Sequence, residues 1–240
     1  MSLEKVQEKI GYKFQNLHLL KTSLVHRSYL NEKDKDEDIT EHNERLEFLG
    51  DAVLELVVTE YLFITYPDNE GFLTALRASL VNYKIVGEIG NSLGLDSEIL
   101  LSKGEKEELG KARLTIVADC VEAILGAMYL DGGILPCKRF IEVNVLVKLK
   151  EIINNQEYKD YKTLLQEFSQ KHTKSTPYYK VISTEGKDHE KTFTIGVWIG
   201  GKNLSQADGK SKQDAETKAA TLALKILQTE FIEIQEENQG

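Results

Sequence analysis

The stretch His42-Asn43-Glu44-Arg45-Leu46-Glu47-Phe48-Leu49-Gly50-Asp51-Ala52-Val53-Leu54 decides how the chain is read. On a helix advancing about 100° per residue, Glu44, Glu47 and Asp51 fall within an arc of roughly 60°. An acidic stripe is ordinarily a solvated face. Here Leu54 and Val58 lie beside the same arc one or two turns on, so the acids stand next to a core. A second stretch sharpens the reading. From Leu114 to Leu130 the only Asp, Glu, Lys or Arg side chains are Asp119 and Glu122, spaced i,i+3 on one face. Desolvating an unpaired carboxylate in a mostly buried helix costs several kcal/mol. The pair is therefore either salt-bridged, for instance to Arg77, or ligates a metal. Converging carboxylates without His or Cys suit a hard, oxygen-seeking cation, Mg²⁺ or Mn²⁺. A di-iron bundle would need Glu-x-x-His motifs, and both spacings here end in an acid.

Working outward, residues 1 to about 150 carry helical periodicity almost throughout. A helix begins at Leu17. A long one is expected from Glu41 to Tyr66, stopped by Pro67-Asp68-Asn69-Glu70-Gly71, and another from Leu73 to Leu93. Residues 102–113 read as an exposed loop, Leu114–Leu130 as an apolar helix closed by Asp131-Gly132-Gly133, and Pro136–Ile153 as the last helix. Residues 154–159 form a polar linker, and behind it the period changes. Tyr161–Gln170 is helical, Tyr178–Ser183 and Thr192–Ile199 alternate as strands, and Gly200-Gly201 is a two-residue hairpin signal. A third strand, Leu204–Ala207, precedes an Ala-rich helix, Ser211–Leu227. The expected architecture is an all-α domain over 1–153 followed by a small α+β domain, α-β-β-β-α, over 160–228. Residues 229–240 are expected to be a disordered acidic tail.

Length and composition fit one large or two small globular domains: 240 residues, 41% hydrophobic and 29% charged. Two cysteines, Cys120 and Cys137, make neither a disulfide framework nor a zinc cluster. The charged N-terminus lacks the apolar segment of a signal peptide, and no apolar run reaches membrane-spanning length, so a cytoplasmic protein without membrane attachment is expected. The net charge of −9 counts at first against a nucleic-acid partner. It is unevenly spread. Residues 160–228 hold eleven Lys against eight acids, a net of +3; the tail carries −4 and residues 1–159 carry −8. An acidic pocket facing a basic module suits a polyanion only if divalent cations neutralise the pocket.

Asn43-Glu44-Arg45-Leu46-Glu47-Phe48-Leu49-Gly50-Asp51 closely resembles the signature of the ribonuclease III family. The other blocks of that family follow in order: His26-Arg27-Ser28-Tyr29, Glu70-Gly71 with Leu76-Arg77-Ala78, and Ala118-Asp119 with Glu122-Ala123 and Leu130-Asp131-Gly132-Gly133. The resemblance spans residues 8–228. It implies a Mg²⁺-dependent endonuclease (Mn²⁺ substituting) that hydrolyses double-stranded RNA with a metal-activated water. The products would carry 5′-phosphate and 3′-hydroxyl ends with short 3′ overhangs, with roles in ribosomal RNA and mRNA processing. It further implies that Glu47, Asp51, Asp119 and Glu122 are metal ligands, with Asp51 and Glu122 catalytic, and that Glu44 and Glu70 lie at the periphery of the acidic site. Phe48 would enter a socket on a second subunit of a homodimer.

Asp160-Tyr161-Lys162-Thr163-Leu164-Leu165-Gln166-Glu167, Pro177-Tyr178-Tyr179, Asp188-His189 and Gly209-Lys210-Ser211-Lys212 similarly resemble double-stranded-RNA-binding domains. Such modules read A-form shape. By that resemblance Gln166, Glu167 and His189 face minor grooves, and Lys210 and Lys212 face phosphates at a helix N-terminus. The chain departs from the family where Lys187 replaces a Pro, Gln213 replaces a Lys, Gly110-Lys111-Ala112-Arg113 replaces Gly-Gly-Arg and Cys120 replaces a hydroxyl residue. None of these removes a catalytic carboxylate. A non-catalytic dimeric RNA binder is the competing reading, and such a protein has no need of Asp119 and Glu122 inside an apolar helix.

Overall fold

A computed structural model describes residues 2–32, 39–107, 109–187 and 191–237, the last helix with side chains as far as Phe231. The chain divides into two compact units, one ending at Tyr158 and one beginning at Lys159.

The first unit is helical: α1 Leu3–Ile10, α2 Leu17–Ser23, a 3-10 turn Arg27–Asn31, α3 Glu44–Thr65, α4 Glu70–Leu80, α5 Tyr83–Ser92, α6 Lys103–Lys106, α7 Gly110–Gly132, α8 Ile134–Asn144 and α9 Leu149–Asn154. Its core is built on α7, where Ile116–Ala118, Cys120, Val121 and Ala123–Met128 are all buried, and on the Leu46, Val53, Leu54, Val57, Val58 and Leu62 face of α3. Asp119 and Glu122 apart, α7 is apolar nearly all round from Leu114 to Leu130, as a central helix must be.

Several expectations are corrected. The single helix expected over 73–93 is two, and one side chain both ends the first and begins the second. Asn82 Nδ2 donates to the Ala78 and Ser79 carbonyls at 3.1 and 2.8 Å, while Asn82 Oδ1 accepts from the Lys84 and Ile85 amides at 3.1 Å. At the other end α4 starts earlier than expected, because the Asn69 side chain caps the Phe72 amide at 3.0 Å. The helix expected over 136–153 is also interrupted: Asn144 bonds back to the Phe140 carbonyl at 2.9 Å, and a 3-10 turn at Leu146–Lys148 lets Val145 and Leu149 both reach the core. The loop expected over 102–113 contains the short α6 and the first turn of α7. Tyr158, in the stretch expected to be linker, packs edge-on against Phe72 with ring centres 5.2 Å apart.

The second unit runs α10 Tyr161–Thr173, β1 Tyr178–Glu185, β2 Thr192–Ile199, β3 Lys202–Gly209 and α11 Lys212–Glu237. The strands form one antiparallel sheet in the order β1-β2-β3. Gly200 and Gly201 make the hairpin turn with φ of 57° and 84°, the left-handed pair that a tight two-residue hairpin demands. Leu165 of α10, Val197 and Ile199 of β2, and Ala219, Ala220, Ala223, Leu224 and Leu227 of α11 close the core. Contrary to the disordered tail expected from 229, α11 continues to Glu237. The reason is visible at Phe231, which packs against His172 and Phe168 of α10 at 4.0 and 6.0 Å between ring centres. Among the described residues no helix is long and apolar enough to cross a membrane.

Candidate active site

The site is created by the crossing of α3 and α7. A Cβ on Gly50 would overlap the Glu122 carbonyl oxygen, and one on Gly126 would overlap the Leu46 carbonyl oxygen. The two helices therefore touch backbone to backbone, and only glycine permits that approach. Gly50 sits within α3, buried at the crossing. The crossing sets the acids of α3 opposite those of α7.

Glu47, Asp119 and Glu122 are half-buried, and each can offer one carboxylate oxygen such that all three lie within 4.8 Å of one another. Three carboxylates this close repel, and burial compounds the cost. Glu122 is pushed up to about 8, by desolvation first and then by Asp51, Asp119 and Glu47. Glu47 rises to about 7, again by desolvation first, then by Asp119, Glu44 and Asp51. Burial raises Asp119 as well, opposed by the positive charge of Arg27. The donor set, Glu47, Asp119 and Glu122, is entirely oxygen, and the unbalanced negative charge fits a hard divalent cation.

The remaining expected site residues fall in different places. Asp51 is exposed one turn beyond Glu47 and acts electrostatically on both Glu47 and Glu122, though its oxygens lie outside the tight triad. Glu44 stands at the rim, paired with Arg27 at 3.3 Å and facing His42 Nδ1 at 3.8 Å. Glu70 is elsewhere in the chain. It opens α4 and lines a groove of about 430 Å³ with Thr59, Leu62, Phe63, Leu73 and Arg77. Thr59 to Phe63 lie roughly 18–24 Å from Glu47 along α3 at 1.5 Å per residue. Arg77, a possible partner for the α7 acids on sequence grounds, instead donates to Thr59 Oγ1 at 3.1 Å. Phe48, beside Glu47, is 81% exposed.

In the second unit Gln166 and Glu167 are exposed side by side on α10. Lys210 and Lys212 are exposed at the start of α11, where the Ser211 hydroxyl accepts from the Asp214 amide at 3.1 Å. Lys162 is held by Glu216 at 2.7 Å. His189 lies outside the described residues.

The family pattern described as "Ribonuclease-III-like" matches residues 16–149, and the one described as "Double-stranded RNA binding motif" matches residues 161–227. The chain is 41% identical to "Ribonuclease 3" of Borreliella afzelii over 227 residues, covering 94% of this chain and 91% of that one. The chain belongs to the ribonuclease III family. It is also 43% identical to "Ribonuclease 3" of Leptospira interrogans over 224 residues, 91% of this chain and 88% of the relative. A solved ribonuclease III nuclease domain from Campylobacter jejuni, described for flexibility in a region involved in dimer formation, matches with a TM-score of 0.52. It is 44% identical and covers 60% of this chain and 98% of that one. As a ribonuclease III with both a nuclease and a duplex-binding domain, the chain is a double-strand-specific endoribonuclease. Sequence reasoning had found the acids but not Gly126, Gly50's close approach, or Arg27. Gly126 was legible as a glycine in the interior of a buried helix; Arg27 was not, because its place at the site depends on long-range pairing.

Proposed function

We propose that Glu47, Asp119 and Glu122, joined by Asp51, hold Mg²⁺, with Mn²⁺ an adequate substitute, and that cleavage of duplex RNA takes place there. The observation that carries this reading is the half-buried triad of carboxylates with mutually raised protonation ranges. A divalent cation bound among them supplies an activated water near neutral pH and charge stabilisation for the phosphorus and the leaving 3′ oxygen. The chain's own part is to fix oxygen donors on two helices whose separation cannot drift. Asp51, the most exposed acid, faces the approaching phosphate and water, and Glu122, the most buried of the four, anchors the cation. Hydrolysis leaves 5′-phosphate and 3′-hydroxyl ends with short 3′ overhangs, and ribosomal RNA and mRNA processing in the cytoplasm is the expected setting.

The working unit is a homodimer. On α3, Phe48, Ala52, Leu56, Thr59 and Phe63 are exposed and fall within an arc of roughly 80°. Phe48, Leu56 and Phe63 are 81%, 62% and 76% exposed. Leu56 lies midway between the two phenylalanines, so a two-fold axis near it would cross α3 with its copy antiparallel. Phe48 of each copy would then enter the groove lined by Leu62, Phe63, Leu73 and Glu70 of the other. That pairing also accounts for Glu70: it would stand beside the Phe48, and hence near the Glu47, of the opposite copy. The duplex-binding domain presents Gln166 and Glu167 to minor grooves and Lys210 and Lys212 to phosphates. Cleavage of a plain RNA duplex with Mg²⁺, and none with a chelator, is the expected result. Cleavage undiminished after exhaustive chelation would overturn the metal assignment.

A further inference from the structure

Arg27 enters above only as the partner of Glu44 and as a charge opposing the rise at Asp119, yet its loop is tied down by several hydrogen bonds. The Val25 and Leu100 backbones pair in parallel, with the His26 amide donating to the Leu100 carbonyl at 3.0 Å and the Leu100 amide to the Leu24 carbonyl at 2.8 Å. The Asn43 amide donates to the Val25 carbonyl at 2.9 Å, which ties this strand to the start of α3. His26 Nδ1 accepts from the Ser28 amide at 3.3 Å and lies 2.8 Å from the Ser28 hydroxyl, which in turn accepts from the Ser102 amide at 3.0 Å. The backbone of residue 27 is thereby held against the rim of the acidic site.

The side chain it carries is by contrast free to act. Arg27 is 71% exposed, and among the described residues its guanidinium makes one hydrogen bond, from Nη1 to Glu44 Oε1 at 3.3 Å. A surface ion pair of this kind contributes between nothing and about 1 kcal/mol, so stability does not explain why the loop is so well tethered. The other four of its five N–H donors make no hydrogen bond to a described residue. Its charge favours the ionised forms of Asp119 and Glu47, and its contact with Glu44 sets it at the rim of the same site. A duplex entering this pocket meets acids on α3 and α7. Its phosphates need a cation at the rim, and a planar guanidinium offers two parallel N–H groups to one phosphate.

We propose that Arg27 is a substrate-binding residue: on RNA entry it exchanges Glu44 for a backbone phosphate adjoining the one that is cut, which it holds through two N–H groups. The inference rests on the metal-dependent nuclease reading given above. Glu44 then acts as the resting partner that keeps the guanidinium extended and on station.

The test pairs a protein substitution with neutralisation of single phosphates. Duplexes carrying one uncharged methylphosphonate at successive positions flanking the cut, with the adjacent 2′-hydroxyl removed in these and in the control, are cleaved by wild type, Arg27→Gln and Arg27→Lys in single turnover with Mg²⁺. On the control duplex Arg27→Gln should lose about ten- to a hundredfold in rate, the scale of a charge-assisted hydrogen-bond pair. Arg27→Lys, which keeps the charge but not the fork, should recover part of that. At one flanking position neutralisation should slow wild type at least about tenfold and Arg27→Gln no further, with the melting temperature of all three proteins alike. The proposal is overturned if Arg27→Gln cuts as fast as wild type, or if each neutralised position slows both proteins by the same factor. Failure of wild type to cut the control duplex would instead overturn the nuclease reading, and this inference with it.

Discussion

Replacing Glu122 with Gln should make the metal-free protein more stable at pH 8 and leave it catalytically dead. In the folded chain Glu122 titrates near 8, raised from its ordinary 4.5 by burial and by Asp51, Asp119 and Glu47. The folded state therefore binds this proton more tightly than the unfolded state does. The favourable contribution is complete below about pH 4.5 and is lost as pH rises through 8, so wild-type stability without metal declines across that window. At about 1.36 kcal/mol per pH unit, the interval corresponds to roughly 5 kcal/mol as a ceiling. Gln carries no charge to repel its neighbours, but it buries an amide lacking an assured partner, at about 1–3 kcal/mol. The net expectation is that Glu122→Gln is more stable than wild type by about 2 kcal/mol at pH 8. That is roughly 4–8 °C in melting temperature for a domain of this size, with no gain at pH 5. Thermal melts in chelator at both pH values, at one protomer concentration, read this directly. Adding Mg²⁺ should stabilise wild type and not the variant. An equal melting difference at pH 5 and pH 8 would show that Glu122 does not bear the repulsion. Cleavage within about tenfold of wild type, roughly 1.4 kcal/mol in barrier, would show that the active site is wrongly drawn.

Three further outcomes are expected. Gly126→Ala should drive a methyl into the Leu46 carbonyl and either prevent folding or pry α3 from α7; a folded variant with undiminished cleavage would contradict the crossing as the device that sets the acids. Phe48→Glu should convert the protein to a monomer at micromolar concentration in sedimentation, since burying the ring is worth roughly 1.5–3 kcal/mol per copy; an unchanged dimer would remove Phe48 from the interface. Gln213→Lys, at an exposed position in the first turn of α11, should tighten duplex binding and steepen the logarithmic salt dependence by about 0.7–0.9; an unchanged slope would place residue 213 away from phosphate.

The acids were legible in the sequence because Asp119 and Glu122 interrupt an otherwise apolar helix, and buried charge always demands a reason. Thr192–Ile199 was legible to the residue because its alternation and the Gly200-Gly201 turn agree with one another. The break at Asn82 was not, since an Asn within an apolar pattern looks tolerable until its amide is seen bonding both helices. The length of α11 was hidden by four glutamates, whose composition outweighed the apolar contact made by Phe231. Glu70 shared a family block with the site, but its position belongs to the groove of α4, and only two-fold symmetry would return it to an acidic cluster. Arg27 illustrates the limit most clearly: its proximity to Glu44 is made by the pairing of Val25 with Leu100, a contact between segments whose sequences carry no mark of each other.

The backbone contact at Gly50 and Gly126 has a consequence for how the protein fails. Many enzymes carry their reactive groups on segments that open long before the molecule melts, so that activity fades below the transition. Here the donors stand on the two helices that form the centre of the core, and moving them apart means separating those helices. The amides of α3 and α7 flanking the crossing should therefore exchange with deuterium only through global unfolding, at the slowest rates in the first unit. Heat inactivation of a plain metal-dependent cut should then coincide with loss of helical signal, without an earlier phase of an intact fold and a dismantled site.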